Sequence, residues 1–179
     1  SLGTAYSQVV ASSGGQAPIT WTLKAGSALP DGLSLSSGGT ISGTPTTAGS
    51  TTFTVVATDA GLPSARTAEK ALTITVVPPP TIAAADLPDG TTTVVYTTTT
   101  LSASGGASPY TWSIASGALP AGLSLSSGGT ISGTPTATGT ASSTIRVTGS
   151  NGGTSTRSFS IRVAAPLSVS TGSLANASL

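Results

Sequence analysis

The sequence predicts an all-β fold made of two tandem antiparallel β-sandwiches. Strand-forming residues dominate, because the 179-residue chain contains 33 Thr and 30 Ser and is 37% hydrophobic. Helix-forming residues are scarce, with one Glu, two Lys and two Gln, so we expect almost no helix. The net charge of +1 argues against disorder, which usually combines low hydrophobicity with high charge. An internal repeat and a period-two alternation of apolar residues complete the prediction.

The internal repeat is explicit in the letters of the sequence. Gly32–Thr46 and Gly122–Thr136 both read GLSLSSGGTISGTPT, 90 positions apart. Around these runs, Trp21 matches Trp112 and Tyr6 matches Tyr96. Proline-rich junctions follow each copy, at Pro78–Pro80 and Ala165–Pro166. We expect a first repeat at 1–77 that lacks its leading strand, a second repeat at 78–165, and the leading strand of a further repeat at 166–179.

Each repeat is predicted to contain about seven short strands separated by turns. In the first repeat the strands are expected at Thr4–Ala11, Ile19–Lys24, Leu33–Leu35, Thr40–Ser42, Thr52–Thr58 and Ala71–Val77. In the second repeat, Thr81–Gly90 is expected to form a leading strand. Alternation places one face of each strand in the core. The residues expected in the core are Trp21, Leu33, Leu35, Ile41, Phe53, Val55, Leu72 and Ile74, and Trp112, Leu123, Leu125, Ile131, Ile145, Phe159 and Ile161.

Three features at matching distances carry a family resemblance. They are an L-P-x-G-L corner, the G-T-I-S-G-T-P turn and a Trp upstream of both. This pattern resembles the "putative Ig" repeats of bacterial and archaeal surface proteins, which are related to cadherin-like and dystroglycan-type domains. The resemblance implies Ig-like β-sandwiches, arranged in tandem and used as stalks, adhesins or spacers. The second repeat departs from the pattern at Tyr96–Leu101, where one extra residue predicts a β-bulge or a variation of an edge strand.

The composition excludes several classes of function. Without His or Cys the chain has no imidazole base, no thiolate and no zinc site of the usual kind. Six scattered cations form no patch for a nucleic-acid backbone, and no segment is apolar for long enough to insert into a membrane. We therefore expect neither an enzyme nor a cofactor. Asp86 and Asp89 are the only neighbouring acids and are weak candidates for calcium, which needs six to eight oxygen ligands.

A glycan is the alternative ligand. Trp21 and Trp112 could stack on a sugar, but both lie on the apolar phase of an alternating strand, which favours a core position. The tyrosines Tyr6, Tyr96 and Tyr110 are the better candidates for glycan contact.

The C-terminal residues suggest how copies of the chain could assemble. Leu167–Leu179 resembles the leading strand of a further repeat, with Leu174 aligned to Leu87. Leu167 and Val169 share one face of that strand and could fill the first sandwich of another copy. We therefore expect an extracellular or cell-surface structural module that builds a head-to-tail filament or stalk. In the rival interpretation, the sequence is a slice of a longer covalent array. An adhesin or carbohydrate-associated binding module is the alternative function.

Overall fold

A computed structural model describes residues 1–83 and 86–169. Within these residues all regular secondary structure is β-strand, as the composition predicts. The first repeat contains β1 (Tyr6–Val9), β2 (Thr20–Leu23), β3 (Leu33–Leu35), β4 (Thr40–Gly43), β5 (Gly49–Thr58) and β6 (Thr67–Val76). The second repeat contains β7 (Thr81–Ile82), β8 (Gly90–Thr91), β9 (Thr99–Thr100), β10 (Ala103–Ser104), β11 (Tyr110–Gly117), β12 (Leu123–Leu125), β13 (Thr130–Gly133), β14 (Gly139–Gly149) and β15 (Thr154–Ala164).

In the first repeat, two antiparallel three-stranded sheets have the orders β1-β4-β3 and β2-β5-β6. Strands β5 and β6 pair over ten residues, from Gly49 opposite Val76 to Thr58 opposite Thr67. Both strands begin earlier than the apolar alternation predicts, because their first residues are mostly polar and pair across the exposed face. The hydroxyls of Ser50, before the predicted start of β5, and Thr75 on β6, for example, are 3.0 Å apart. Such cross-strand hydroxyl pairs stabilise a sheet without contributing to the hydrophobic pattern.

The second repeat has the sheets β12-β13-β9 and β11-β14-β15-β8, with a short β7-β10 pair. The predicted leading strand over 81–90 is not continuous. Its two ends form β7, antiparallel to β10, and β8, parallel to β15. Pro88 lies between them and lacks the N–H that an unbroken strand ladder needs.

The chain folds into two compact units whose limits differ from those of the sequence repeats. The first comprises Ser1–Ile82, Ala103–Thr111 and Val147–Ser155, and the second comprises the described residues of Ala83–Ser102, Trp112–Arg146 and the stretch from Thr156 to 169. Two segments of the second sequence repeat, 103–111 and 147–155, therefore fall in the first unit. No helix long and apolar enough to span a membrane is present in residues 1–83 and 86–169.

The core of the first repeat is a cluster of Ile41 on β4 with Phe53 and Val55 on β5. All three side chains are at most 2% exposed. Since β4 and β5 are the central strands of their respective sheets, this cluster lies where the two inner faces meet.

The depth of burial differs from the prediction at several positions. Leu33 and Leu35, like their counterparts Leu123 and Leu125, are half-buried because β3 and β12 are edge strands of their sheets. In the first repeat, Trp21, Leu72 and Ile74 are also half-buried and pack around the central cluster. Their equivalents Trp112, Phe159 and Ile161 are at most 7% exposed. The two repeats therefore place equivalent residues in the core, but these residues are more deeply buried in the second repeat.

The bulge predicted near Tyr96 is present in the pairing register. In the first repeat Tyr6 lies opposite Gly43 and Gln8 opposite Ile41, so the single residue between them on one strand faces a single residue on the other. In the second repeat the Tyr96 amide donates to the Gly133 carbonyl, and Thr99 lies opposite Ile131. Two residues, Thr97 and Thr98, therefore oppose the single Ser132, which is the arrangement of a β-bulge.

Candidate functional site: an open groove in the first repeat

An apolar groove is open on the surface of the first repeat. Its floor is formed by Trp21, Val55, Ala57 and Leu72, and its volume is about 540 Å³. The rims are the segments Val9–Ser13 and Ala68–Lys70. The floor belongs to the inner face of the β2-β5-β6 sheet. We call this feature the repeat-1 groove.

The same place in the second repeat is occupied by the chain itself. Strand β7 pairs with Ala103–Ser104, the equivalents of Ser12–Ser13 on the rim of the repeat-1 groove. From this leading segment, Ile82 and Leu87 are buried, at 6% and 8% exposure. Over residues 1–83 and 86–169, no strand pairs with Ser12–Ser13 in this way. Trp21 and Leu72, on the floor of the repeat-1 groove, are half-buried, whereas their equivalents Trp112 and Phe159 are each 7% exposed.

Within residues 1–83 and 86–169, the edge of the sheet beside the repeat-1 groove has no partner strand. In the second repeat, β8 extends the sheet because Gly90 and Thr91 lie parallel to Val163 and Ala164. From Leu2 onward, the first repeat makes the backbone contacts that the second repeat makes from Thr92 onward. The Leu2 amide donates to the Val77 carbonyl at 2.9 Å, as the Thr92 amide donates to that of Ala164. In the described part of the chain, the sheet containing β6 has no strand equivalent to β8, which leaves an edge available for strand addition.

The residues that were predicted to fill such a gap start just beyond the second repeat. Leu167 is fully exposed and the side chain of Val169 is 89% exposed. Leu174, the third predicted interface residue, lies outside the described residues. Large apolar side chains at such exposure gain free energy when they are transferred to an apolar groove.

The other candidate sites do not form a recognisable centre. Asp86 and Asp89 are both exposed. Among the described residues, no group of three or more acids comes together to hold a metal ion. All seven aromatic side chains lie within the described ranges, and each is buried or half-buried. In particular, Tyr96 is 3% exposed, so it cannot present a face to a sugar.

A buried carboxylate in the first repeat was not anticipated from the sequence. Asp59 is 7% exposed, and its carboxylate accepts hydrogen bonds from the backbone amides of Arg66, Gln16 and Gly61. The Arg66 guanidinium adds an ion pair at 2.9 Å. The hydrogen bond from the Arg66 amide is the main cause that lowers the pKa of Asp59 to about 2. Asp59 therefore joins the β1–β2 loop to the β5–β6 loop, and an isolated Asp after a strand gives no signal of this role.

We expect Asp59→Asn to lower the stability of the first repeat in a pH-dependent way. The folded pKa of about 2 lies below the usual 3.8, so the stabilisation is complete above pH 4 and is lost as the pH falls toward 2. The difference in unfolding temperature between wild type and Asp59→Asn should be largest above pH 4 and should shrink below it. The fluorescence of Trp21 in a Trp112→Phe background measures this transition. Asp31→Asn, at an exposed position, is the control, and a difference that persists unchanged to pH 2 would contradict the assignment.

Comparisons with known proteins agree with this architecture. The family model described as "Putative Ig domain" matches residues 1–77 and again residues 73–164. No curated protein matches the chain.

Several solved structures resemble the chain. An I-band fragment of titin is 17% identical, with 92% of this chain and 62% of that chain covered and a TM-score of 0.44. Extracellular cadherin domains 1–4 of protocadherin gamma B7 are 15% identical, with 90% and 42% covered and a TM-score of 0.41. An alpha-galactosidase-like protein of Bacteroides fragilis is 27% identical, with 48% and 18% covered and a TM-score of 0.40. The chain thus spans less than two thirds of the length of each of these proteins.

Proposed function

Because the chain belongs to the Putative Ig domain family, we propose that it is an extracellular structural module that builds a filament or stalk by head-to-tail contact. In this assembly, residues 167–179 of one copy fill the repeat-1 groove of the next copy. The observation that carries the proposal is the contrast between the two repeats. The groove is open in the first repeat, whereas in the second repeat strands β7 and β8 pair with the equivalent rim and sheet edge, and Ile82 and Leu87 are buried.

The C-terminal sequence fits the groove without a gap in the alignment. Counting onward from the match of Phe159 to Leu72, Leu167 corresponds to Pro80 and Val169 to Ile82. Pro80 and Ile82 are both buried in the second repeat. At the same offset, Leu174 corresponds to the buried Leu87. The three apolar positions that anchor the leading segment of the second repeat are thus apolar in 167–179.

The expected gain from docking is sufficient for a specific contact. Burial of a Val or Leu side chain contributes about 1.5–3 kcal/mol, so Val169 and Leu174 together contribute about 3–6 kcal/mol. Backbone hydrogen bonds to the free sheet edge add about 0.5–1.5 kcal/mol each. The two partner surfaces lie on different parts of the molecule, so the contact is heterologous and propagates from copy to copy.

The surface chemistry suits an extracellular location. Only 6% of residues are charged and the net charge is +1, so copies can lie side by side with little electrostatic repulsion. Solubility comes instead from Ser and Thr, whose hydroxyls do not titrate. A non-enzymatic role is part of the proposal, since the Ig-like repeat is a structural scaffold whose function lies in its surfaces.

The decisive experiment compares the assembly of four full-length chains by light scattering and electron microscopy. Wild type should form filaments. The double variant Leu167→Asp/Val169→Asp should stay monomeric, because an exposed carboxylate disfavours insertion into the apolar groove. Ser168→Asp is the matched control and should assemble, because its counterpart Thr81 is exposed.

The fourth chain carries a second copy of residues 79–90 directly before Ser1. This segment should fill the repeat-1 groove within the same molecule and so block assembly. It should also raise the unfolding temperature of the first repeat. If the Leu167→Asp/Val169→Asp variant and wild type have the same mass and morphology, strand complementation is wrong. If the chain with the added segment still forms filaments, the contact does not use the repeat-1 groove.

A further inference from the structure

A tyrosine hydroxyl fixes the leading segment of the second repeat in place. The Tyr96 hydroxyl donates to the carbonyl of Pro88 at 2.8 Å, and the Tyr96 side chain is 3% exposed. Pro88 directly follows Leu87, whose side chain is buried. The buried leucine and the hydrogen-bonded carbonyl are therefore adjacent in sequence, and together they define where the segment sits along the sheet.

Tyr6 occupies the same backbone position in the first repeat. It lies opposite Gly43 on β4, as Tyr96 meets the equivalent Gly133. The residues before it make matching contacts, since the Gly3 amide donates to the Pro45 carbonyl as the Thr93 amide donates to that of Pro135. Tyr6 packs against the core cluster and is half-buried. In residues 1–83 and 86–169, the Tyr96 and Tyr110 hydroxyls each donate to a backbone carbonyl, and the Tyr6 hydroxyl has no such bond.

A second feature of the leading segment is the small residue two positions after Pro88. A Cβ atom on Gly90 would lie 3.2 Å from the Pro135 side chain and 3.5 Å from the Tyr96 ring. The backbone of Gly90 is not in the positive-φ region, so alanine requires only a small shift there, whereas larger side chains are excluded. In the C-terminal segment the corresponding residue is Ala177.

We infer that Tyr6 is a positioning residue for the docked strand, an inference that rests on the proposed function. Its hydroxyl donates to the carbonyl of Ala175, the residue after Leu174. Because every residue has a carbonyl, this contact sets register without selecting a side chain. The repeat-1 groove therefore recognises a pattern: two apolar residues five apart, a carbonyl directly after the second, and Gly or Ala two residues further on. Leading segments of other Ig-like repeats with this pattern are partners of the same groove, including the chain's own residues 79–92.

The hydrogen bond from Tyr6 is needed because the apolar side chains alone do not fix the register of the docked strand. A shift by one residue turns the apolar side chains of a strand to the opposite face. A shift by two residues leaves each side chain on its face and only moves the apolar residues away from their places in the groove. A hydrogen bond to one specific carbonyl separates these registers.

The test uses the full-length Leu167→Asp/Val169→Asp chain as an acceptor that cannot donate its own strand. Synthetic peptides of residues 166–179 and 79–92 should both bind it, and the 166–179 peptide carrying Val169→Asp should not. Adding Tyr6→Phe to the acceptor should weaken binding of both native peptides by about 2- to 10-fold. Adding Tyr96→Phe instead is the matched control. It should leave peptide affinity unchanged and lower the unfolding temperature of the peptide-free chain, which Tyr6→Phe should not do.

A modified peptide tests the carbonyl itself. Replacing the Ala175–Asn176 peptide bond with a trans-alkene should weaken binding to the Tyr6 acceptor more than to the Tyr6→Phe acceptor, because only the former can donate to that carbonyl.

The outcomes separate the two levels of the proposal. If neither native peptide binds the Tyr6 acceptor, the proposed function is wrong as well. If peptides bind the Tyr6 and Tyr6→Phe acceptors equally, the positioning role is wrong and strand complementation stands. If 166–179 binds and 79–92 does not, recognition by pattern is overturned.

Discussion

Replacing Trp112 with alanine is expected to lower the free energy of unfolding of the second repeat by about 3–5 kcal/mol, because the truncation of a buried Trp leaves a large cavity. The Trp112 side chain is 7% exposed. Its indole also lies against the backbone of Gly129, where a Cβ atom would approach it to 2.8 Å. A loss of this size is a large part of the roughly 5–15 kcal/mol that stabilises a typical domain. Calorimetry measures it, and the fluorescence of the remaining Trp21 shows whether the first repeat is unaffected.

Trp21→Ala is the matched comparison and should cost less. Trp21 has the same turn beneath it, with a Cβ on Gly39 again reaching 2.8 Å from the ring, but it is half-buried in the open groove. Its cost should rise when the groove is filled by the added copy of residues 79–90. Equal costs at Trp21 and Trp112 in the unmodified chain would contradict the difference in coverage between the two repeats.

Gly43→Val should destabilise the first repeat by about 3 kcal/mol or more, since it combines backbone strain with overpacking. Gly43 has a φ of 138°, and a Cβ atom there would collide with the Gly32 carbonyl oxygen. The obstacle is backbone within the β3–β4 pair, where Leu33 lies opposite Gly43, so no side chain can move aside. Gly133 repeats the arrangement, with a φ of 132° and the Gly122 carbonyl in the same place. Chemical denaturation followed by Trp21 fluorescence measures the effect.

Substitutions at two further glycines separate the effect of backbone strain from the effect of overpacking. Gly49→Val tests conformational strain alone, because Gly49 has a φ of 144° with no atom within 4 Å of the added Cβ. Gly38→Val is a control for both, because its φ is not positive and the nearest atom, the Ser36 hydroxyl oxygen, is 3.9 Å away. The expected order of destabilisation is Gly43, then Gly49, then Gly38. A Gly43→Val chain as stable as the Gly38→Val chain would mean that the close backbone contact is absent.

The sequence was sufficient for the fold class, the repeat and the central core. Ile41, Phe53 and Val55 follow from alternation alone, because in a short strand the buried face is the one with the period-two apolar residues. The bulge at Thr97–Thr98 followed from counting, since one extra residue between two matched positions must be accommodated in the ladder. Strand ends were less accurate, because the exposed Ser and Thr residues at the start of β5 pair without an apolar signal.

One exchange of core residues between neighbouring strands became visible only from the strand pairing in the structure. Phe53 pairs with Leu72 across β5 and β6, and the equivalent residues of the second repeat are Ser143 and Phe159. All except Leu72 are buried. The large aromatic side chain has therefore moved from one strand to its neighbour, and a small buried serine stands in its former place.

The sequence by itself determined that this chain is a tandem of β-sandwiches, because alternation, turn glycines and an identical 15-residue run are local signals that each repeat carries in full. The Ig-like type followed from the resemblance of its motifs to a known family. The tertiary structure alone decided how deeply equivalent residues are buried. Trp21 and Trp112 have the same local sequence pattern, yet only Trp112 is buried, and within the described residues only its repeat has the paired strands β7 and β8. In the same way, Asp59 became a buried, ionised cross-link because the amides of Gln16 and Arg66 converge on it from separate loops. Burial depends on what lies opposite a side chain in space, and that is a property of packed segments far apart in sequence.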